Sequence, residues 1–129
     1  MSEIWNVFIA DGTQSLEEIE ACLLSLDEGT QDDECMSQLN RSLHTIKGNA
    51  SMMGLPNLSG LVHKTEDLVE CITHVGVDKE ENPIDLLFAI FDVIQEYFEH
   101  LLNSQTDISM EDIEPLQSAI DYWITTHGV

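Results

Sequence analysis

Apolar residues recur at alternating spacings of three and four along most of the chain, and short polar stretches separate the segments in which they do so. In one segment the apolar positions are Met36, Leu39, Leu43, Ile46, Ala50 and Met53. This spacing places them on one side of an α-helix. Similar spacing predicts helices at roughly 3–26, 34–53, 58–75, 83–103 and 110–126. No stretch alternates apolar and polar residues over the length of a strand, so we predict no sheet.

The predicted helices are joined by short connections, which make consecutive helices antiparallel neighbours. Gly54 is a predicted left-handed stop for the second helix, with Pro56 just beyond it, and Asn57 is a predicted N-cap for the third. Gly12 is a predicted weak point in the first helix. The repeat of about 3.5 residues favours shallow crossing angles. We therefore predict an all-α fold, an antiparallel up-down four-helix bundle with an additional fifth C-terminal helix.

The polar side of the second helix carries the candidate chemistry. Its residues are Asn40, Arg41, His44, Lys47, Gly48 and Ser51. A cation thus lies one turn before His44 and another one turn after it. A glycine within a helix costs about 1 kcal/mol relative to alanine. We interpret the missing side chain at Gly48 as access for a second protein to the imidazole.

The net charge of −21 makes the position of each cation informative. It argues against nucleic-acid and anionic-membrane partners, which bind basic surfaces. Of the four cations, Arg41 and Lys47 flank His44, Lys64 follows His63, and Lys79 lies in a predicted loop. Most of the positive charge is therefore predicted near one histidine, where a phosphoryl group could be held.

Length and composition predict a single globular domain in the cytoplasm. The 129 residues are 43% hydrophobic and 22% charged, enough for one packed core. No apolar run approaches a membrane span, and the first residues lack the basic region of a secretory signal. The three cysteines are widely spaced and form no CxxC pair, so neither a disulfide framework nor a zinc site is predicted.

The stretch from His44 to Gly54, HTIKGNASMMG, resembles the signature of histidine-containing phosphotransfer (Hpt) domains. That signature has a histidine, then Lys-Gly at the third and fourth positions after it, a small residue and a closing glycine. His63 and Glu66 match a second histidine and a glutamate of the phosphotransfer domains of CheA chemotaxis kinases. The resemblance covers essentially the whole chain, including the extra helix. Asn49 and Met53 depart from it, since CheA-type domains often have a glycine and an aromatic residue there.

This resemblance implies that His44 accepts a phosphoryl group from an ATP-dependent histidine kinase domain and passes it to an aspartate of a response regulator. A phosphorylatable histidine needs one neutral ring nitrogen free and the other protonated. We predict that Glu66 accepts a hydrogen bond from Nδ1–H, leaves Nε2 as the nucleophile and stabilises the positive ring. Lys47 is predicted to offset charge on the phosphoryl oxygens.

Other residues near His44 receive supporting roles. His63 is predicted to hydrogen-bond to the phosphoryl group or to tune the pKa of the neighbouring histidine. Arg41 and Lys64 are predicted to help a partner protein dock. Gly48 and Ser51 are predicted to give the partner access to His44 and to contribute to docking.

The chain contains no P-loop or glycine-rich phosphate cradle, so we predict no bound cofactor. ATP and magnesium would be used by the partner kinase domain, and the other partner would be a response regulator receiver domain. The isolated domain is predicted to be a monomer.

Three alternatives to a chemotaxis-type phosphotransfer domain stay open. One is a free-standing phosphorelay shuttle outside chemotaxis, and another is an interaction module that keeps the fold without phosphotransfer. The third is a metal site made of His44, His63 and Glu66. Paired Glu-x-x-His motifs are missing and Lys47 would repel a cation, which both argue against the metal site.

Overall fold

The computed structural model of the protein describes residues 2–29, 33–75 and 83–127. Within these ranges the chain forms five helices and no strand. They are α1 (Ser2–Asp27), α2 (Asp33–Met52), α3 (Pro56–Val75), α4 (Ile84–Ser104) and α5 (Met110–His127). Every boundary lies within two residues of the range predicted from the sequence. Lys79 falls outside the described residues.

Helices α1 to α4 form the predicted up-down bundle, and α5 packs on the outside of it. α2 lies between α1 and α3, and α1 also packs along α4. Contacts between α3 and α4 are sparse, whereas α5 packs against both. Asn57 bonds to the backbone of Ile108 and Lys64 bonds to Asp121, so α5 runs parallel to α3. The predicted all-α bundle with a fifth helix is confirmed.

The predicted apolar stripes form one continuous core. On α2 the first five predicted positions are buried, and Met53 is partly buried against the core. On α3 the buried surface is wider than one apolar stripe, since Val62 and Val69 are fully buried as well as Leu58, Leu61 and Leu68. This follows from packing, because α3 is covered by α2 on one side and by α5 on another. No helix of the described ranges is both long and apolar enough to cross a membrane.

Gly12 is a packing position rather than the predicted weak point of α1. A Cβ atom at Gly12 would lie 2.6 Å from Cζ of Phe98 on α4. The Phe98 ring is buried and its centroid lies 5.4 Å from that of Phe8. The absent side chain therefore lets α1 and α4 approach closely around an aromatic pair, which offsets the helix propensity that a glycine forfeits.

The turn between α2 and α3 sets the register of the two helices that carry the candidate site. Gly54 adopts φ +74°, which confirms the predicted left-handed stop. Its N–H donates to the carbonyl of Ser51 at 3.2 Å, and the N–H of Leu55 donates to that of Ala50 at 2.9 Å. These two bonds form a Schellman motif. Because α3 starts directly afterwards, its polar face returns alongside that of α2.

The predicted N-cap at Asn57 is wrong, because the cap comes from a distant segment. The backbone N–H groups of Asn57 and Leu58 donate to the two carboxylate oxygens of Asp107, at 2.6 and 3.1 Å. The Asn57 side chain instead donates to the carbonyl of Ile108 at 2.9 Å. The α4–α5 connection thus satisfies the orphan donors of α3 and fixes the start of α5 beside it.

Candidate functional site

His44 lies on the exposed side of α2, at an open recess between α2 and α3. Its side chain is 72% exposed, so a reacting group can reach the ring from solvent. The recess has a volume of about 760 Å³ and is lined by Asn40, Arg41, His44, Thr45, His63, Glu66, Asp67 and Glu70. The sequence predicted roles in the chemistry for His44, Lys47, His63 and Glu66. The packing of α2 on α3 brings three of these four, His44, His63 and Glu66, to the surface of one recess.

Glu66 reaches across from α3 and lies between His44 and Lys47. One carboxylate oxygen is 3.7 Å from Nδ1 of His44, and the other is 3.0 Å from Nζ of Lys47. The first separation is longer than a hydrogen bond, so the carboxylate is beside the ring but not bonded to it. The buried oxygen Oε1 makes no aligned hydrogen bond within the described residues. The Lys47 ion pair is therefore what compensates its charge.

The geometry distinguishes the two nitrogens of the His44 ring. Nδ1 is the ring nitrogen that lies 3.7 Å from the Glu66 carboxylate, and Nε2 is the other nitrogen, one ring carbon away. A carboxylate beside Nδ1 favours a proton on that atom, and its negative charge stabilises a ring that becomes positive. The arrangement can therefore support a nucleophilic Nε2. Catalytic contacts of this kind are often longer than a hydrogen bond before the reacting partner binds.

His63 shares the recess but has a different carboxylate neighbour. Its Nε2 lies 4.0 Å from the carboxylate of Asp67, one turn further along α3, and its side chain is 62% exposed. It faces the same open volume as His44. It is thus placed beside the surface on which a group attached to His44 would project.

The residues predicted to serve docking lie in different surroundings. Arg41 lines the recess, whereas Lys64 donates to Asp121 at 2.7 Å and ties α3 to α5. Ser51 is hydrogen-bonded to Ser59 of α3, with 2.8 Å between their hydroxyl oxygens. Lys64 and Ser51 therefore each join α3 to a neighbouring helix.

Gly48 is exposed, and the fold does not require a glycine there. A Cβ atom at this position would have no heavy atom within 4 Å outside its own helical segment. One turn further on, Met52 is 86% exposed. It borders an apolar groove of about 440 Å³ that Ile4 and Val7 of α1 also line. The surface around Gly48 is thus open, and the exposed Met52 side chain borders it one turn further on.

A polar network between α1 and α2 was not predicted. The Glu18 carboxylate accepts hydrogen bonds from Gln38 Nε2 at 2.5 Å and from the Ser42 hydroxyl at 3.0 Å. Gln38 Oε1 accepts from a guanidinium nitrogen of Arg41 at 2.8 Å. Ser42 is buried next to the apolar stripe of α2. A serine at such a position was the sequence signal that could have indicated the network.

Within the described ranges, no group of three or more His, Cys, Asp and Glu side chains is arranged to hold a metal ion. The recess contains carboxylates and imidazoles, but the Lys47 ammonium already lies against Glu66.

Comparison with known proteins identifies the family of this chain. The solved structure of the phosphorylated P1 domain of CheA3 in complex with CheY6 from R. sphaeroides is similar, with a TM-score of 0.89 and 29% sequence identity. The similarity covers 99% of this chain and 100% of that one. Chemotaxis protein CheA of Rhizobium meliloti is 29% identical over 94 residues, which are 73% of this chain and 12% of that CheA.

CheA of Borreliella burgdorferi is 25% identical over 122 residues, or 95% of this chain and 14% of that protein. The chain therefore spans only a small part of the length of these relatives. The family model described as Hpt domain matches residues 3–104, which include α2 to α4 and all of α1 except its first residue. With His44 exposed on α2 of this bundle, the chain belongs to the Hpt domain family.

Proposed function

We propose that this chain is a CheA-type phosphotransfer domain in which His44 accepts a phosphoryl group from an ATP-dependent histidine kinase domain. It then passes the group to an aspartate of a response regulator. The observation that carries the proposal is the exposed His44 ring with the Glu66 carboxylate beside Nδ1 and Lys47 bound to the same carboxylate. The P1 domain of CheA3, in the similar solved structure, is phosphorylated and in complex with CheY6, which supports the proposal.

In the first step the Nε2 lone pair attacks the γ-phosphorus of ATP held by the kinase domain with magnesium. The bond between phosphorus and Nε2 forms as the bond to the ADP oxygen breaks, and ADP leaves with that electron pair. The proton stays on Nδ1, so the ring becomes positive, and Glu66 stabilises it. Phosphoryl transfer depends mainly on positioning and electrostatics, which is what this recess supplies.

In the second step a carboxylate oxygen of the response regulator attacks the same phosphorus. The bond between phosphorus and Nε2 breaks, the electron pair returns to the ring, and His44 is neutral again. Lys47 can act on the phosphoryl oxygens because its long side chain has several rotatable bonds and its ammonium shares Glu66 with His44. Moving from Glu66 to the phosphoryl group would exchange one anionic partner for another.

The test is phosphorylation of the purified protein by two donors. A CheA-type kinase core that lacks its own phosphotransfer domain, with ATP and magnesium, is the first donor, and phosphoramidate is a donor without a protein partner. We expect a mass gain of one phosphoryl group at neutral pH, lost on acid treatment, with either donor. A sample without ATP is the control. Absence of the gain with both donors would contradict the proposal and favour an interaction module.

Gly48→Ala is expected to separate access by partners from the chemistry of His44. Because the new methyl group meets no neighbour, it should stabilise the fold by up to about 1 kcal/mol through helix propensity. The same methyl group stands one turn from the acceptor ring, where a partner must approach closely. We expect phosphorylation by the kinase core to slow about tenfold, or about 1.4 kcal/mol, and phosphorylation by phosphoramidate to keep its rate.

Gly60→Ala is the matched control, because Gly60 also lies within a helix and an added Cβ atom there also meets nothing within 4 Å. It should stabilise the protein in thermal unfolding without changing either phosphorylation rate. If Gly48→Ala slowed both donors equally, or neither, the glycine would not serve partner access.

A further inference from the structure

Arg41 is held by a chain of hydrogen bonds that begins on another helix. Glu18 of α1 accepts from Gln38 and Ser42 of α2, and the Gln38 carbonyl oxygen accepts from the Arg41 guanidinium. Gln38 Nε2 also donates to the Ser42 hydroxyl at 3.0 Å. Both ends of the Gln38 amide are therefore engaged, one towards α1 and the other towards Arg41.

The Glu18 carboxylate determines which end of that amide faces Arg41. An ionised carboxylate only accepts hydrogen bonds, so the NH₂ group of Gln38 must face Glu18. The carbonyl oxygen is then turned outward, where it suits a guanidinium, which only donates. With the amide reversed, an NH₂ group would face Arg41 and a carbonyl oxygen would face the carboxylate. The network thus orients Arg41 through the chemistry of Glu18.

Arg41 differs from the other cations that the structure describes. Lys47 is paired with Glu66 and Lys64 with Asp121, whereas Arg41 has no carboxylate of the described residues within ion-pair distance. Its charge is exposed in a protein whose net charge is −21. It also lines the recess of His44, one helical turn away. A guanidinium with free donors in this position suits an anionic group of a partner.

Resting on the function proposed above, we propose that Arg41 binds carboxylates around the acceptor aspartate of the response regulator, and that Gln38, Glu18 and Ser42 are positioning residues for its guanidinium. The acceptor is itself a carboxylate, so the docking face of the response regulator brings negative charge towards His44. Asp67 and Glu70 line the opposite side of the recess and repel such a group. Arg41 offsets that repulsion, and its orientation selects where the acceptor docks.

The experiment measures phosphoryl transfer from phosphoramidate-labelled protein to a panel of CheY response regulators that includes CheY6 of R. sphaeroides. The fastest acceptor of wild type is used for all variants. Arg41→Gln should raise KM for that acceptor about fivefold at low ionic strength and leave kcat unchanged, as expected when a charge at the rim of an interface is lost. The difference should shrink at high salt, because the charges are screened.

Variants of the network test the positioning role. Glu18→Gln permits the reversed amide, and Gln38→Met removes the acceptor for Arg41, so each should raise KM about threefold, less than loss of the charge itself. When Arg41→Gln is already present, neither Glu18→Gln nor Gln38→Met should raise KM further. A purely structural role would instead lower kcat or stability in both backgrounds. Gln14→Glu, at an exposed position of α1, makes the same change in net charge as Arg41→Gln and should leave KM unchanged.

The outcomes separate this inference from the proposed function. If neither phosphoramidate nor the kinase core with ATP labels wild type on His44, the proposed function fails. If His44 is labelled but Arg41→Gln leaves KM unchanged, or wild type transfers to no member of the panel, the docking role is overturned. If KM rises for Arg41→Gln but the effects of Glu18→Gln and Gln38→Met persist without Arg41, the positioning role is overturned.

Discussion

His44→Gln is expected to abolish acid-labile phosphorylation and to leave the fold intact. The His44 side chain is 72% exposed, and Glu66, at 3.7 Å, is its only described ion-pair neighbour. Substitutions at such surface positions usually change the free energy of unfolding by less than about 0.5 kcal/mol. Glutamine is also a good helix former. It has no nucleophilic ring nitrogen, so intact mass after incubation with either donor should show no phosphoryl group.

His63→Gln is the matched control, because His63 lines the same recess and is similarly exposed, at 62%. This variant should still gain one phosphoryl group, more slowly if His63 assists the transfer. A thermal unfolding midpoint that matches wild type would show that loss of labelling in His44→Gln is chemical rather than structural. Labelling that persisted in His44→Gln would place the phosphoryl group on another histidine and contradict the proposed function.

The sequence predicted the helices and the turn after α2 because both depend on local patterns. Apolar spacing defines which side of each helix is buried, and Gly54 with its left-handed φ ends α2 where expected. Contacts between distant residues were not predictable in this way. Asp107 caps a helix that begins about fifty residues earlier, and Gly12 is explained by Phe98 of α4. No local pattern carries that information.

The residues of the candidate site were predicted, and one contact between them was predicted as a hydrogen bond, that of Glu66 with His44 Nδ1, whereas the two groups lie 3.7 Å apart. The polar faces of α2 and α3 indicated that Glu66 would come near His44. They did not indicate that Lys47 would bind the same carboxylate. His44 and Lys47 are both within reach of Glu66, and the sequence does not show which of the two the carboxylate bonds to. Lys64 follows His63 in the sequence, yet it bonds to Asp121, since the position of α5 against α3 is a property of the whole bundle.

Glu66→Gln is expected to slow phosphorylation of His44 with both donors. The amide keeps the shape of the side chain and removes the negative charge beside Nδ1 and Lys47. Unit charges 4 Å apart interact by about 1 kcal/mol in water and about 4 kcal/mol near a protein surface. His44 is mostly exposed, so we expect a loss of about 2 kcal/mol in the barrier, or about 30-fold in rate. Initial rates by intact mass would measure it.

The tautomer of His44 shows by which mechanism Glu66→Gln lowers the phosphorylation rate. If Glu66 favours the proton on Nδ1, nitrogen chemical shifts of the ring should move towards the other tautomer in Glu66→Gln. Glu70→Gln makes the same chemical change on the same helix, but Glu70 has no described contact with His44, so the rate should fall less than about threefold, as for a solvated charge. A slow reaction with an unchanged tautomer would leave stabilisation of the positive ring as the role of Glu66. An unchanged rate would mean that the carboxylate serves only to hold Lys47, and Lys47→Met would then have to account for any electrostatic assistance at this site.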